Sequence, residues 1–453
     1  MSRILILIFI ILFYCASYLI NVSKRKETKY LILSFFILCT PMQYEFSLTA
    51  MNKNDMQGIW GRVINISLPT LLTLYFLFKV KIRYVFYSLS LNKWIIYIYG
   101  LIIVSFINPH NVDTLATFCF VVFLTSNLLF IILISANLSQ YDFINGFYHS
   151  FSFLAILQFI LAICFPVLRI NFVTELFHGE IASEWATRMG TRVGAVGIFV
   201  HPGSLALFAI MSISFFLATF FNNYKRDKSL YLILLNIIIT VLTYSRTSYL
   251  TLVLVICLLI YFYKFRYKTI FSLTNLVTFL VPTLGLLYYV VFLSPFSENF
   301  LKSDSSDMYE ARTIHFIMSF MIFKSSPIIG VGINTHLNYF DKMYSIQKLL
   351  PHMDDFYSTN PIHNIHLITI AETGLLGISL WICFLFGGIA DAKKQISLIN
   401  EKNTIFSFTL IGFVFSYIFY GLTGWAPFQK GILPIFLLVI FSFYTFEHKS
   451  KKI

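Results

Sequence analysis

The chain contains an unbroken apolar stretch, Gly203-Ser-Leu-Ala-Leu-Phe-Ala-Ile-Met-Ser-Ile-Ser-Phe-Phe-Leu-Ala-Thr-Phe-Phe221, with no charged residue in it. A helix of about 20 apolar residues is long enough to cross the hydrocarbon core of a bilayer. Polar residues flank the stretch, with His201 before it and Lys225 after it. It is therefore predicted to be a transmembrane helix.

Similar stretches recur along the whole chain. Of its 453 residues 58% are apolar and only 12% are charged, a composition outside the range of soluble domains. The chain is therefore predicted to be an all-α, polytopic membrane protein with about 12–13 transmembrane helices. The candidate spans are 3–22, 30–46, 63–80, 91–107, 114–136, 143–167, 203–221, 230–245, 247–263, 270–293, 364–389, 404–424 and 431–446.

The lysines and arginines predict the orientation of these spans. Twenty of the 33 lie in one set of short alternate loops, which marks those loops as cytoplasmic. Most of the others lie in two long segments that alternation places outside. Because the basic residues form no single face, no nucleic-acid partner is expected despite a net charge of +13. The predicted organisation is transmembrane helices in 1–167, a first outer loop in 168–202, central helices in 203–293, a large extracytoplasmic loop in 294–363 and final helices in 364–453.

Several motifs of common cofactor and metal sites are missing. The sequence has no Gly-x-x-x-x-Gly-Lys-Ser/Thr phosphate loop, no His-Glu-x-x-His pair and no paired-cysteine zinc spacing. It also lacks an Asp-x-Asp of the type that holds a divalent metal in nucleotide-sugar transferases. A reaction without ATP, metal or other cofactor is therefore expected.

Two arginines stand at predicted outer ends of spans. Arg192 opens Arg192-Val-Gly-Ala-Val-Gly-Ile-Phe-Val-His201 at the end of the first outer loop, and Arg246 follows Ser245 in the turn between two short spans. A guanidinium offers five donors and stays charged, which suits a diphosphate. The glycines after Arg192 would let backbone approach a ligand. The alternative is that both arginines contact lipid phosphates or solvent at the interface.

The large outer loop carries a further pair of polar residues. Arg312 and His315 lie one helical turn apart at the start of an apolar pattern over 314–323 that Pro327 ends. The pattern is too short to span a membrane and predicts an amphipathic helix on the outer membrane face. The two residues could face one ligand, or His315 could belong to a solvated face.

Polar residues also mark the entry into a late span, His363-Asn364-Ile-His-Leu-Ile-Thr-Ile-Ala-Glu372-Thr-Gly374-Leu-Leu-Gly377. Polar groups are costly near hydrocarbon, so their presence at a membrane boundary indicates a functional site. The two glycines are predicted to form a face for close helix packing.

The helix of this motif is predicted to start with Asn360 as its cap and Pro361 in its first turn. The positive end of the helix dipole disfavours imidazolium, so His363 is expected to be neutral and available as a base. Glu372 lies about 13 Å deeper along the axis and is expected to orient a partner, either in a catalytic role or as a purely structural tie between helices. His366, one turn from His363, makes only a weak case for a metal site.

Together these motifs resemble the bacterial O-antigen polymerase and O-antigen ligase superfamily over roughly residues 190–390. The resemblance rests on their order, spacing and outward placement. The matching motifs are Arg192 to His201-Pro202 before a span, Ser245-Arg246-Thr-Ser at an outer turn, Arg312 to Pro327-Ile-Ile-Gly-Val-Gly, and His363-Asn followed by Gly374 and Gly377.

The resemblance implies a GT-C-like fold and a metal-independent, inverting glycosyltransferase with a lipid-diphosphate donor. It assigns His363 as the base that activates the acceptor hydroxyl, and Arg192, Arg246 and, less directly, Arg312 as ligands of the diphosphate. One departure is Gly203, where many relatives have asparagine. The residues assigned supporting roles are Asn364, Glu372, His201, His315 and Ser245.

The expected function is a polysaccharide polymerase that joins undecaprenyl-diphosphate-linked oligosaccharide units onto a growing glycan acceptor. The long segment 338–363, rich in tyrosine and histidine, favours a polymerase because it would suit a sugar-lined groove. The alternatives are an O-antigen ligase or protein-glycan transferase, and a lipid-linked sugar flippase or other transporter. The expected partners are the lipid bilayer, a chain-length regulator and a flippase. The expected location is the bacterial cytoplasmic membrane, with the site facing the periplasm or cell exterior.

Overall fold

The structure, a computed structural model, describes residues 93–164, 194–199, 201–265, 306–343, 361–396 and 401–450, with a few isolated positions elsewhere. Apart from a 3₁₀ turn at Ala426–Phe428, the regular elements in these ranges are α-helices. They are α1 (Lys93–Ile107), α2 (Thr114–Asn137), α3 (Gln140–Cys164), α4 (Pro202–Phe221), α5 (Arg226–Leu242), α6 (Arg246–Lys264), α7 (Ser306–Ser325), α8 (His336–Met343), α9 (Ile365–Ile396), α10 (Glu401–Gly421) and α11 (Leu433–Ser450).

The helices confirm the predicted class of an all-α, polytopic membrane protein. Within the described ranges, six helices are long and apolar enough to cross a membrane, namely α2, α3, α4, α6, α9 and α10. With α1, α5 and α11 they correspond to nine of the predicted spans, and α9 extends beyond its predicted end to Ile396. The predicted spans 3–22, 30–46, 63–80 and 270–293 lie outside the described ranges.

Helix α4 occupies the middle of the bundle. Residues 202–219 are all buried, and α4 packs against α5, α10, α6 and α3. Lipid solvates apolar side chains as well as a protein interior does, so such helices associate through close packing. Phe147, Phe151 and Phe215 form part of this packing, with the rings of Phe147 and Phe151 stacked 4.2 Å apart.

Side-chain hydrogen bonds also join helices within the bundle. The hydroxyls of Ser135 and Ser442 lie 2.6 Å apart, and Tyr148 reaches Ser229 at 3.4 Å, both at one end of the bundle. We call this the basic end. Its helix termini and connections carry Lys93, Lys225, Arg226, Lys228, Lys264, Lys393 and Lys394.

Two helices of the large loop lie at the opposite end. Helix α7 is longer than the predicted 314–323 and ends at Ser325, before Pro327 as expected. It buries an apolar stripe of Ile314, Met318 and Ile322 against its neighbours. Its other side also exposes apolar residues, Phe316, Ile317 and Phe320, so polar groups are confined mainly to its ends.

Helix α9 is interrupted at Gly374, where φ is 62° and ψ is −161°. The loop between α7 and α8 inserts at this break and forms four backbone hydrogen bonds across it. The amides of Val331 and Gly332 donate to the carbonyls of Ala371 and Glu372, and the amides of Leu375 and Leu376 donate to the carbonyls of Pro327 and Ile328, at 2.8–3.2 Å. The inserted loop thereby satisfies backbone groups that a broken membrane helix would leave without partners.

The prediction that Gly374 and Gly377 form a face for close helix packing is wrong. Gly374 adopts a backbone conformation that essentially only glycine reaches. A Cβ there would lie 2.4 Å from the carbonyl group of Ile328. A Cβ on Gly377 would meet Thr373 of the same helix at 1.8 Å. The glycine spacing therefore serves the helix break.

The inserted loop is also fixed to the connection between α1 and α2 and to the first turn of α2. The Asn108 side chain donates to the carbonyl of Gly330 at 2.7 Å, and Thr117 donates to that of Ile333 at 2.9 Å. Asn334 in turn donates to the carbonyl of Ala116 at 2.8 Å. The loop thus holds α7 and α8 in a defined place over the end of the bundle.

Candidate active site

Three helix starts meet the end of α10 at the end of the bundle opposite the basic end. The Asn364 amide, before α9, donates to the carbonyl of Leu422 at 2.8 Å. Thr247, in the first turn of α6, lies 2.6 Å from the Thr423 hydroxyl. The start of α4 reaches the same place through Gly203. Positive ends of helix dipoles therefore face one region, which favours an anion there.

The cap of α9 differs from the predicted one. The side-chain oxygen of Asn364 accepts from the amides of His366 and Leu367, at 2.9 and 3.0 Å, so Asn364 caps the helix and Ile365 begins it. The predicted cap, Asn360, lies outside the described residues. A supporting role was expected for Asn364. Its side chain fixes both the start of α9 and the link of α9 to α10.

His363 immediately precedes this cap. Its Nδ1 lies 3.1 Å from the carbonyl oxygen of Pro361, and because a carbonyl only accepts, Nδ1 must carry the proton. In the neutral ring Nε2 is then left with a free lone pair, as a general base requires. Burial lowers the pKa of His363 to about 4; the bond to Pro361 opposes this shift and Arg312 adds to it. The expected neutral state thus follows mainly from burial and not from the helix dipole.

His315 lies directly against His363. The two rings stack with centroids 5.0 Å apart and planes 9° from parallel. Helix α7 is fixed over α9 by Ser319, whose hydroxyl donates to the carbonyl of Leu367 at 2.9 Å. His315 is only 4% exposed, so the alternative of a solvated face is wrong. Burial, followed by the nearby His363 and His336, lowers the pKa of His315 to about 3.

His201 stands at the start of α4 in the opposite tautomer. Its Nδ1 accepts a hydrogen bond of 3.0 Å from the amide of Gly203, so a neutral ring carries its proton on Nε2. Burial and then the neighbouring His363 lower the pKa of His201 to about 4. The ring centroid of Trp425 lies 6.4 Å from that of His201. At this end of the bundle the Nε2 of His201 can donate a hydrogen bond, whereas the Nε2 of His363 can accept one.

Tyr420 connects the starts of α4 and α6. Its hydroxyl lies 3.4 Å from that of Ser245, the residue before Arg246. A Cβ on Gly203 would come within 2.4 Å of the same hydroxyl and 2.9 Å of the Nδ1 of His201. The departure from asparagine at Gly203 therefore has a steric reason, because this chain places a buried tyrosine in that space.

Two of the three predicted diphosphate ligands lie in the described part of the chain. Arg246 is half-buried at the first position of α6, where the helix dipole also favours an anion. Arg312 is exposed, one turn before His315 on α7, and is close enough to influence His363. Arg192 lies outside the described residues.

The glycines that follow Arg192 approach other parts of the protein, whereas the sequence predicted that they would let the backbone approach a ligand. A Cβ on Gly194 would lie 2.6 Å from the carbonyl oxygen of Thr243. Gly197 has a φ of 57°, and a Cβ there would lie 1.8 Å from the side-chain oxygen of Gln158. That oxygen instead accepts from the amide of Ile198 at 3.1 Å. These glycines hold the segment before α4 against α3 and α5.

Glu372 acts as a tie between helices, one of the two roles left open by the sequence. Its buried Oε1 accepts from Nδ1 of His336 at 2.6 Å and from the amides of Thr335 and His336 at 3.1 and 3.4 Å. It thus holds the start of α8 to the helix break. His336 did not stand out in the sequence because its partner lies 36 residues away.

The fold and these polar residues define a multi-pass membrane protein with a histidine-rich site at one end of its bundle. Residues 231–382 match the family model described as O-antigen ligase, and this segment includes Arg246, Arg312, His315, His363 and Glu372. A comparison with curated proteins gave no match. The match supports the resemblance of the chain's motifs to the O-antigen polymerase and ligase superfamily. That family implies a glycosyltransferase type of activity.

Proposed function

We propose that the protein is a polysaccharide polymerase that joins undecaprenyl-diphosphate-linked oligosaccharide repeat units at the outer face of the cytoplasmic membrane. The observation that carries the proposal is the state of His363 within the family segment. Its Nδ1 proton is committed to the carbonyl of Pro361, its pKa is lowered to about 4, and its Nε2 is left to accept a proton. A hydroxyl nucleophile needs a base that is unprotonated at the working pH.

In the proposed reaction, Nε2 of His363 takes the proton of an acceptor-sugar hydroxyl as its oxygen attacks the anomeric carbon of the donor. The bond from that carbon to the diphosphate oxygen breaks, and undecaprenyl diphosphate leaves with the electron pair. Attack opposite the leaving group inverts the anomeric configuration. No metal or nucleotide enters this scheme, and the protein supplies the base, the charge and the positioning.

The leaving diphosphate requires positive charge that is already in place before the reaction. Arg246 at the start of α6 supplies a guanidinium beside a helix N-terminus, and Arg312 supplies a second near His363. Arg192 is proposed as a third ligand from its sequence motif. Guanidinium groups can bind two oxygens of a phosphate at once, which a lysine cannot.

Replacement of Arg246 by lysine should therefore lower polymer formation by roughly 10- to 100-fold at a normal protein level, because charge is kept and the bidentate contact is lost. Polymer would be measured on gels from a strain carrying the variant. Arg226→Lys, an exposed arginine at the basic end, is the matched control and should have no effect. Full activity in both Arg246→Lys and Arg192→Lys would remove the diphosphate clamp from the mechanism.

The proposed orientation places the basic end in the cytoplasm and His363 outside. His110, exposed between α1 and α2, and Lys228, exposed in the first turn of α5, mark the two ends. In a background with the six native cysteines replaced, His110→Cys should react with an impermeant thiol reagent in intact cells and Lys228→Cys should not. Labelling only at 228 would reverse the orientation and place the site in the cytoplasm.

A second candidate is an O-antigen ligase, because the matched family model carries that description. One argument for the polymerase is weakened by the structure. Tyr339, at the start of the tyrosine-rich segment, is 2% exposed and packs with Phe340 beneath α7, so it cannot line a sugar groove. The glycan profile of a deletion strain separates the two functions. Products with a single repeat unit indicate a polymerase, whereas accumulated lipid-linked polymer with none attached indicates a ligase.

A further inference from the structure

His315 is deeply buried although both of its ring nitrogens are polar. Neither Nδ1 nor Nε2 of this residue has a hydrogen-bond partner in the described part of the chain, and both atoms are shielded from solvent. A neutral imidazole has one donor and one acceptor, and burying them without partners costs their full hydration. Phenylalanine could stack on His363 equally well without that cost. The nitrogens therefore point to a bound state in which they have partners.

The chemistry of His315 matches a sugar more closely than a phosphate. Burial keeps the ring neutral, since its pKa is lowered to about 3. A neutral ring offers no positive charge to a diphosphate. A diphosphate only accepts hydrogen bonds, and the charged donors of arginines suit it better. A sugar hydroxyl both donates and accepts, as an imidazole does. The stacked arrangement also holds the ring centroid of His315 5.0 Å from that of the base, His363.

We infer that His315 binds a hydroxyl of the acceptor sugar and so holds that sugar for deprotonation by His363. The inference rests on the proposed glycosyl transfer and adds the residue that recognises the acceptor. Both nitrogens of His315 are covered in this structure. A hydroxyl therefore reaches them only after neighbouring side chains move.

The test is His315→Phe in purified protein. This change keeps an aromatic ring against His363 and removes both nitrogens, so folding should be preserved and the melting temperature unchanged or raised. The KM for the acceptor should rise about tenfold, the value of one lost hydrogen bond. Binding of undecaprenyl diphosphate alone, used as the probe of the donor site, should not change. His315→Gln restores a donor and an acceptor and should recover part of the affinity.

Phe316→Ala, at an exposed neighbouring position on α7, is the matched control and should leave the acceptor KM unchanged. If the phenylalanine variant does not fold, His315→Leu tests the same expectation. A stable His315→Phe or His315→Leu protein with the wild-type acceptor KM would overturn the inference. That result would leave the proposed function intact as long as His363→Ala is inactive, whereas an active His363→Ala protein would instead contradict the proposed function.

Discussion

Replacing His363 with alanine should lower the rate of glycan transfer by roughly 10²–10⁴-fold, the usual effect of losing a general base. The Asn364 cap and the bond from Asn364 to Leu422 do not depend on the imidazole, so the protein should remain folded. The measurement is turnover of lipid-linked oligosaccharide by purified protein at a fixed protein concentration.

His366 provides the control because it lies one turn away in the same helix. Its Nε2 donates to the carbonyl of Ile418 at 3.2 Å, which directs this ring towards α10. His366→Ala should therefore have a milder effect on transfer. If His363→Ala kept more than about a tenth of wild-type turnover, well short of the usual loss, His363 would be an orienting residue and not the base.

The protonation of His363 also sets the pH dependence of this rate. Because burial lowers its pKa to about 4, the base stays available from pH 8 down to about pH 5, and transfer should fall with an apparent pKa near 4. An unfolded histidine titrates near pH 6.5, so the unfolded chain binds more protons than the folded chain between about pH 6.5 and 4. The free energy of unfolding therefore decreases as the pH falls through that window. Rates must therefore be corrected for the folded fraction. An apparent pKa near 6.5 would argue against a buried base.

Gly374→Ala should prevent the protein from reaching its folded state in useful amounts. The backbone strain alone costs about 1–3 kcal/mol. In addition, the new Cβ would lie 2.4 Å from the backbone of Ile328, so the inserted loop must shift. That loop positions α7 over His363, so any folded fraction should also be inactive. Size-exclusion profiles and melting curves in detergent measure the first effect.

Gly100 is the matched control for this substitution. It lies exposed within α1, and a Cβ there would meet no atom within 4 Å. Gly100→Ala should stabilise the helix by up to about 1 kcal/mol, since alanine is the better helix former. A Gly374→Ala protein with the wild-type melting temperature and profile would show that the helix break is not needed for the fold.

The positions of the spans could be predicted because they depend on local composition. A helix that crosses a membrane must satisfy its own backbone and carry apolar side chains, and both requirements can be recognised in a single stretch such as 203–221. The break in α9 could not be predicted in the same way. It depends on the close approach of Gly330 to the backbone of Glu372 and of Gly374 to the backbone of Ile328, and glycine bears no side chain to mark such a contact.

The site was predictable only in part for a related reason. His363, His315 and Arg312 carry polar groups at apolar boundaries, so each attracts notice by its cost near lipid. Tyr420 does not, because a tyrosine at a span end is common in membrane proteins. The signal that was available was Gly203, whose missing side chain leaves space for the Tyr420 hydroxyl. His336 was missed because only the fold brings it to Glu372.

The central claim is that this protein transfers glycan from a lipid diphosphate to a sugar hydroxyl with His363 as base. The most direct measurement is the reaction of purified protein in lipid nanodiscs with undecaprenyl-diphosphate-linked oligosaccharide. The account predicts a ladder of lengthened glycans, one undecaprenyl diphosphate released for each unit added, no effect of chelators, and no product from His363→Ala. Intact substrate with no diphosphate released by folded wild-type protein would contradict it.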